Sequence, residues 1–257
     1  MELRLKFNED AANYDKARPS YPAELFRDII DYSGIGKSSN ILEIGIGTGQ
    51  ATLSFLELGC SITAVELGSD LAEYSKAKFA GYDNLNIINA DFIEADLKSD
   101  CYDLIYCATA FHWLPQEKAY NKIKKLLRPG ATLALFWNHP FPNRADDAVN
   151  MASRRVYEKY RPTDKPLIEF SEKDLEKRKT ELQQNGFENV EAKLYKRTRT
   201  LTSQEYIALI NTYSDHRALP DNIKQNFEKE MLTAVNTLGG KINIYDTIDL
   251  YLAKKEK

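Results

Sequence analysis

The sequence predicts an α/β fold in which a mainly parallel, doubly wound sheet is covered by helices on both faces. The first observation is the alternation of short apolar runs with helical patterns between residues 40 and 138, which is typical of βαβ units. The second is that runs such as Ile41-Leu42 and Leu133 to Trp137 are continuously apolar, as strands buried on both faces are. We therefore expect any ligand to lie outside the carboxyl ends of the strands.

Three alternating glycines follow the first predicted strand. The segment from Ile41 to Gln50 has the sequence Ile-Leu-Glu-Ile-Gly-Ile-Gly-Thr-Gly-Gln, and a helical pattern from Ala51 to Leu58 comes next. Glycines are needed where the backbone takes a positive φ or where a ligand must approach with no Cβ in the way. The N–H groups at the start of the following helix would face a bound polar group. The pattern therefore predicts a nucleotide-type cradle.

The residues around the glycines restrict which nucleotide fits. A dinucleotide fingerprint needs a third glycine where this chain has Gln50 or, in the other register, Thr52. A P-loop is excluded because no Gly-Lys-Ser/Thr ending is present. Glu43 would repel a diphosphate, whereas its charge suits a ligand that carries positive charge. A ligand with an adenosine, an ammonium and a sulfonium fits these residues better.

The segment from Glu43 to Gly49 resembles the first motif of the class I S-adenosylmethionine-dependent methyltransferases, acid-x-Gly-x-Gly-x-Gly. Further pieces follow in that family's order: Ile62 to Glu66, Leu85 to Phe92, Tyr102 to Ala108 and Leu126 to Phe136. The resemblance implies a Rossmann-like sheet of seven strands, mostly parallel with an antiparallel last strand, and helical lid insertions. It also implies S-adenosyl-L-methionine as the cofactor and S-adenosyl-L-homocysteine as its product.

The resemblance also assigns roles to individual residues. Glu66, followed by Leu67, is expected to hold the two ribose hydroxyls. Asp91 is expected to hold the adenine amino group, and Phe92 to pack on the adenine ring. The remaining expected cofactor-binding residues are Glu43, Gly45, Gly47, Gly49, Gln50, Ala108, His112, Trp113, Tyr14 and Arg18. No set of metal ligands is visible in the sequence.

The segment Phe111-His112-Trp113, after the predicted fourth strand, is similar to one that many small-molecule methyltransferases carry near the transferring methyl group. Aromatic faces are favourable beside a sulfonium. His112 could act as a general base, or it could line the pocket without moving a proton. Both interpretations stay open, because in-line displacement depends mainly on proximity and orientation. A carboxylate acceptor would need no base at all.

Segments outside the alternating core are expected to cover its cleft within one methyltransferase domain of residues 1–257. They are an N-terminal helical lid of residues 1–38 and covering insertions at residues 139–179 and 201–240.

The N-terminal segment contains Phe7, Tyr14 and the run Arg18-Pro19-Ser20-Tyr21-Pro22. It is similar to a segment that folds over the cofactor pocket in the family. The alternative is that Tyr14 and Tyr21 pack the first helix against the core.

Polar residues of the two insertions have alternative interpretations. Asp146-Asp147 indicates a helix start more than a metal-binding pair. Arg144, Arg154 and Arg155 are surface charges by default, although they could hold an anionic acceptor. His216 either reaches a substrate over the cleft or lies at a solvated helix end.

Composition restricts the partners. The chain of 257 residues has a formal net charge of −3 and a pI near 5.8, so no overall field favours nucleic acid. Three cysteines without C-x-x-C spacing indicate neither a disulfide framework nor a zinc site. The sequence shows no apolar leader and no run long enough to cross a bilayer. We expect a cytoplasmic protein that binds a small-molecule acceptor, as a monomer or a homodimer.

The resemblance therefore implies S-adenosylmethionine-dependent methyl transfer to a small molecule, and the chain resembles the branch that includes trans-aconitate and quinone-pathway enzymes. The acceptor atom is not predicted. The alternative is a non-catalytic adenosyl-ligand-binding protein or partner subunit of the same fold. A nicotinamide-dependent dehydrogenase is not favoured, because Gln50 and Thr52 replace the glycines that its fingerprint needs.

Overall fold

A computed structural model describes residues 10–164 and 166–257, and Phe7 of the predicted lid lies outside them. The strands are β1 (Asn40–Ile44), β2 (Ser61–Glu66), β3 (Leu85–Asn89), β4 (Tyr102–Ala108), β5 (Leu127–Phe141), β6 (Phe187–Thr202) and β7 (Lys241–Lys255). The helices are α1 (Ala11–Ala17), α2 (Ala23–Ser33), α3 (Leu53–Glu57), α4 (Ser69–Lys78), α5 (Gln116–Leu126), α6 (Ala148–Tyr160), α7 (Glu172–Gln184), α8 (Ser203–Ile210), α9 (Ser214–Arg217) and α10 (Asp221–Thr237).

The described strands form a seven-stranded sheet in the order β3-β2-β1-β4-β5-β7-β6. Strands β1 to β5 pair in parallel, whereas β7 is antiparallel to both β5 and β6. This confirms the predicted Rossmann-like α/β class and its antiparallel last strand. The strand order reverses between β1 and β4, and open α/β sheets bind ligands at such a switch point.

Both faces of the parallel part of the sheet are buried. Leu42 and Ile105 belong to one apolar cluster, whereas their neighbours Ile41 and Leu104 belong to another. Because successive side chains of a strand point to opposite faces, this division explains why the strands are continuously apolar. Cys107 is fully buried in β4 and is part of this core.

The helix after the glycines is shorter than the sequence pattern predicts. Helix α3 begins at Leu53 and has 5 residues, and the Leu53 side chain is 42% exposed. The preceding residues form turns, in which the Thr52 N–H contacts the Gly49 carbonyl oxygen at 3.4 Å. The helix therefore begins four residues after Gly49, and the predicted contact of its first N–H groups with a ligand stays a prediction.

Strand β5 extends beyond the apolar run Leu133 to Trp137. It begins at Leu127, which pairs with Tyr102, and the register then shifts so that Thr132 pairs with Leu104. The strand therefore contains an irregularity between these two pairs. Gly130 has φ +75° within it, a conformation that glycine adopts at little steric cost.

The chain divides into two compact units. The core unit consists of Pro19–Asn138, Ser171–Tyr195 and Ile248–Lys257, and the accessory unit consists of the residues up to Arg18, His139–Phe170 and Lys196–Thr247. The expectation of a single domain with lid insertions stays a prediction.

The accessory unit has its own apolar core between α6, α8 and α10. Phe227 is fully buried at its centre, with the Tyr157 ring 5.0 Å from it in edge-to-face geometry. Asp147 caps α6, because its carboxylate accepts the N–H groups of Val149 (3.0 Å) and Asn150 (3.1 Å). The predicted helix start is confirmed.

The prediction of a solvated position for His216 is wrong. This side chain is fully buried on α9, with its Nε2 atom 3.4 Å from Glu228 Oε1 and its ring centroid 5.1 Å from that of Phe227. Burial lowers the pKa of His216. Since Phe227 of α10 covers the ring, this position also does not suit direct contact with a substrate. The four-residue α9 gave no periodicity from which the burial could have been predicted.

Among residues 10–164 and 166–257, no helix combines the length and the apolar character that are needed to cross a bilayer. Within the same ranges, no group of three or more His, Cys, Asp or Glu side chains could hold a metal ion.

Candidate functional site

The glycine turn after β1 is required by conformation and by packing together. Gly45 and Gly49 have φ values of +76° and +83°, in the left-handed region that favours glycine. A Cβ atom at Gly45 would lie 2.9 Å from the Cβ of Ala110, and one at Gly49 would lie 2.3 Å from Cε2 of Phe79. The glycines therefore let two other segments of the core unit approach the turn closely.

Two side chains of helix α4 hold the glycine turn by donating hydrogen bonds to backbone carbonyl oxygens of the turn. Ser75 Oγ donates to the Gly47 carbonyl oxygen at 2.7 Å, and Lys78 Nζ donates to that of Thr48 at 2.9 Å. Residues three apart on a helix lie on one face, so a single face of α4 reaches the turn. Gln50 Nε2 donates to Thr48 Oγ1 at 2.5 Å and closes the turn on itself. These contacts of α4 were not predicted, although the sequence shows polar residues at this spacing.

Glu66 at the end of β2 lies against the glycine turn, as expected from the parallel pairing. Its Oε2 atom accepts the Gly47 N–H at 2.9 Å, and its Oε1 atom accepts the Gly68 N–H at 2.9 Å. The residue is 7% exposed, and burial raises its pKa although these N–H groups act in the opposite direction. Each carboxylate oxygen has a second lone-pair direction, so the group can accept further hydrogen bonds.

The end of β3 meets the end of β2. The Ala90 N–H donates to the Glu66 carbonyl oxygen at 2.9 Å, and Asn89 Nδ2 donates to the carbonyl oxygens of Glu66 (2.8 Å) and Leu67 (3.1 Å). The Asp91 Oδ1 atom accepts the Ile93 N–H at 2.8 Å, which fixes the turn that follows. The fold thus brings Asp91 to the same edge as Glu66. Asn89 was not predicted, although its place at the end of an apolar strand was a signal.

Phe92 is located differently from the prediction. Its side chain is 4% exposed within an apolar cluster of the core unit, and Lys122 Nζ lies 5.3 Å from its ring centroid. The ring is therefore a core residue, and its face is not available to an adenine. The direction of a single aromatic side chain after a strand cannot be predicted from its position in the sequence.

Glu43 also differs from the prediction. The side chain is almost fully buried under the turn, where its Oε2 atom accepts the Thr52 hydroxyl at 2.7 Å. Burial raises the pKa of the Glu43 carboxyl to about 8. The group is therefore mostly protonated at pH 7 and does not supply the negative charge that the sequence argument assumed. Its observed contact links β1 to the last residue of the turn.

Replacing Glu43 with glutamine is expected to remove a pH dependence of stability. In the wild type, between about pH 5 and pH 8 the folded state holds a proton that the unfolded state has lost. The free energy of unfolding then falls by about 1.4 kcal/mol per pH unit as pH rises. Urea unfolding from pH 5 to pH 8 measures the free energy of unfolding of both proteins. The difference between the two values should favour E43Q increasingly as pH rises. A difference that stays constant with pH would contradict the buried, protonated carboxyl.

The loop after β4 packs beside the first glycine. Ala108 ends the strand, and Thr109, at φ +53°, places its Oγ1 atom 2.7 Å from the Tyr21 hydroxyl. The Tyr21 ring packs edge-on against Phe136 at a centroid distance of 4.8 Å. These contacts correspond to the packing interpretation of Tyr21.

His112 follows in a short 3₁₀ turn, Phe111–Trp113, and is exposed. Its Nδ1 atom accepts the indole N–H of Trp137 at 3.0 Å, and its ring centroid lies 5.0 Å from that of Trp113. An Nδ1 atom that accepts carries no proton, so the proton of the neutral ring is on Nε2. His112 is therefore held as an Nε2–H donor, and its basic nitrogen is already engaged. This argues against the predicted role as a general base.

Tyr14 and Arg18 belong to the accessory unit. The Arg18 guanidinium lies over the rings of Tyr14 (5.0 Å) and Tyr213 (4.6 Å), and its Nη2 atom donates to the Thr212 carbonyl oxygen at 3.0 Å. Their expected contact with a cofactor stays a prediction.

Residues 42–135, which contain the glycine turn and the ends of β2, β3 and β4, match the family model described as a methyltransferase domain. This match, together with the named relatives below, supports an S-adenosylmethionine-dependent methyltransferase. An uncharacterized methyltransferase-like protein of Schizosaccharomyces pombe is 27% identical over 235 residues, which cover 90% of this chain and 86% of that protein. A malonyl-[acyl-carrier protein] O-methyltransferase of a Paenibacillus species is 33% identical over 147 residues, covering 51% of this chain and 52% of that protein.

Solved structures share the fold at low sequence identity. A protein of Anaeromyxobacter dehalogenans, provisionally assigned as a type II methyltransferase, has a TM-score of 0.64 at 19% identity and covers 93% of this chain and 99% of its own. The phosphoethanolamine N-methyltransferase 2 of Haemonchus contortus, in complex with phosphomonomethylethanolamine and S-adenosylhomocysteine, has a TM-score of 0.58 at 12% identity. That comparison covers 100% of this chain and 61% of the other. These findings do not favour the non-catalytic alternative.

Proposed function

We propose that the protein methylates a carboxylate of a small-molecule acceptor, as trans-aconitate-type enzymes of this family do. The observation that carries the proposal is the hydrogen bond from Trp137 to Nδ1 of His112, at 3.0 Å. It leaves the exposed edge of His112 as a hydrogen-bond donor, which suits an anionic acceptor and does not suit one that must lose a proton.

The residues of the core unit fit the cofactor that the class uses. The Glu66 carboxylate retains lone pairs for a ribose diol, and Asp91 lies at the neighbouring strand end for an exocyclic amine. The other residues predicted at this edge, such as Leu67 and Ala108, are proposed to make the remaining contacts with the cofactor. When bound, S-adenosylmethionine supplies a methyl group that its sulfonium activates.

The chain's own residues then have to orient the acceptor and exclude water. His112 donates from Nε2 to the acceptor carboxylate, while Trp137 keeps the imidazole in the donating tautomer. Trp113, packed beside His112, supplies an aromatic face. Orientation of this kind can lower a barrier by roughly 7–11 kcal/mol without a base. The Paenibacillus relative, named as an O-methyltransferase of a malonyl group, supports an oxygen acceptor.

The proposed acceptor class has a distinctive chemical signature. Incubation with methyl-labelled S-adenosylmethionine and a panel of small carboxylic acids, with matched amines as controls, should give products whose label is released as methanol by mild alkali. Methyl esters hydrolyse under these conditions, whereas N-methyl and C-methyl products do not. Label that stays bound after alkali would overturn the carboxylate assignment.

Replacing Trp137 with phenylalanine tests the role of the tautomer. Without the indole N–H, the Nε2 atom of His112 can become an acceptor that repels a carboxylate. The KM for the acceptor should rise roughly 3- to 10-fold. The matched control is H112Q, in which the W137F change should no longer affect KM. A rise in KM of equal size in the H112Q background would indicate a packing effect and contradict the positioning role.

A further inference from the structure

The accessory unit encloses a cavity of about 400 Å³. Its walls include the rings of Tyr157, Tyr206 and Tyr213, together with Pro140, Pro142 and Leu167. This volume lies within the range of about 300–1,000 Å³ that is common for small-molecule sites, which are mostly apolar with a few convergent polar groups. The cavity is therefore large enough for a ligand of about one aromatic ring with substituents.

The guanidinium of Arg161 lines the cavity and is paired with an exposed carboxylate that a ligand can displace. The side chain of Arg161 is 20% exposed and forms an ion pair with Asp215, whose side chain is 64% exposed. Both residues line the cavity. An ion pair with so exposed a carboxylate contributes at most about 1 kcal/mol. A ligand carboxylate inside the cavity can therefore replace Asp215 on the guanidinium, which binds carboxylates in bidentate geometry.

Tyrosine hydroxyls supply the second polar feature of the cavity. The hydroxyl oxygens of Tyr157 and Tyr206 lie 3.1 Å apart, so one hydroxyl donates to the other. The pair has two hydroxyl hydrogens and uses one of them in this bond. Burial raises the pKa of Tyr206 to about 12, so the pair stays protonated at neutral pH. The cavity thus combines a guanidinium with hydroxyl donors above a wall of aromatic rings.

The second arginine of the cavity, Arg154, is less suited than Arg161 to bind a ligand carboxylate. Arg154 Nε donates to Glu158 Oε1 at 2.8 Å, and both side chains are exposed on the surface of α6. The sequence analysis gave Arg154 and Arg155 the possibility of binding an anionic acceptor. The burial of the guanidinium and the neighbouring hydroxyl donors favour Arg161 instead.

From this arrangement, we infer that the accessory unit binds a small monoanionic acid with a flat apolar body, whose carboxylate lies on Arg161 and whose body lies against the tyrosine rings. The inference goes beyond the proposed function: residues of the accessory unit alone hold this ligand, and its carboxylate is not the one that His112 is proposed to hold.

Calorimetric titration of the full chain with trans-cinnamate tests this site, with neutral cinnamamide and acetate as comparison probes. We expect saturable binding of cinnamate, and binding of cinnamamide and acetate that is at least about 10-fold weaker. The R161Q variant should lose about 10-fold or more in cinnamate affinity, and D215N should gain affinity because the competing carboxylate is gone. The matched control is R155Q, on the helix that ends just before Arg161 but not on the cavity, which should bind cinnamate as the wild type does.

Absence of saturable cinnamate binding, equal binding by R161Q, or equal binding of cinnamamide would overturn the inference. Thermal unfolding of R161Q verifies that the variant is folded. The same titration with E66Q separates this inference from the proposed function. Loss of S-adenosylhomocysteine binding with cinnamate binding retained assigns the two ligands to different sites, whereas displacement of cinnamate by S-adenosylhomocysteine in the wild type contradicts a separate site.

Discussion

Replacing Glu66 with alanine is expected to weaken S-adenosylhomocysteine binding by about 10- to 100-fold. The substitution removes the carboxylate proposed for the ribose diol, and hydrogen bonds to a charged group contribute about 1.5–3 kcal/mol. It also leaves the Gly47 and Gly68 N–H groups without the acceptor they have in the wild type. Both effects act on the same side of the glycine turn, so the affinity should fall further than a ligand contact alone implies. Isothermal titration measures this change.

Two further variants separate the effect of the Glu66 charge from the effect of its side-chain packing. E66Q keeps the side-chain shape and one acceptor oxygen, so its affinity should lie between those of the wild type and E66A. Glu73, exposed on α4, is the matched control, and E73Q should bind as the wild type does. Unfolding by urea verifies that the variants are folded under the titration conditions. An E66A protein that is folded and binds with unchanged affinity would remove the ribose assignment.

Replacing Gly49 with alanine is expected to destabilise the core unit by about 2–5 kcal/mol. The left-handed backbone costs a residue with a Cβ about 1–2 kcal/mol, and forcing extra volume into a packed site costs about 1–3 kcal/mol. The added atom would lie 2.3 Å from the Phe79 ring, so either the ring or the turn must move. Urea unfolding measures the loss of stability, and S-adenosylhomocysteine affinity should fall with it because the turn is displaced.

Gly34 provides the matched control for this substitution. It has φ +72°, and a Cβ atom there would meet nothing within 4 Å, so G34A should show only the backbone cost. The G49A/F79A double variant should lose less stability than the sum of the two single variants, because removing the ring relieves the clash. If G49A and G34A cost the same, the contact between the turn and the Phe79 ring does not constrain the site.

The main lines of the fold could be predicted because they depend on short-range patterns. Continuous apolar runs and alternating glycines indicated the parallel strands and the turn between Ile41 and Gln50. The parallel pairing then required the ends of β2 and β3 to meet, which located Glu66 and Asp91 at one edge. These predictions needed only the period of each element and the order of the elements.

The errors share one physical cause, which is that the direction of a side chain is set by partners distant in sequence. Glu43 and Phe92 have the expected positions along the chain, but both point into the protein, where Thr52 and Lys122 contact them. His216 is buried by α10, an element that begins after it. The bond between Trp137 and His112 joins strand β5 to a short turn 25 residues earlier in the chain, and no local pattern predicts it.

The length of α3 has a different cause. The apolar pattern from Ala51 to Leu58 is real, since Phe55 and Leu56 are buried, but the turn conformation continues to Thr52. The hydrogen bond from Thr52 to Glu43 fixes this residue over β1. A local tertiary contact thus delays the start of the helix, which helix periodicity alone does not reveal.

The central claim is that the glycine turn and Glu66 form the site of an adenosyl donor and not of a dinucleotide. Parallel calorimetric titrations of the wild-type chain with S-adenosylhomocysteine and with NADH test it most directly. The account predicts saturable binding of S-adenosylhomocysteine at one site per chain and no binding of NADH. Saturable binding of NADH without binding of S-adenosylhomocysteine would contradict it.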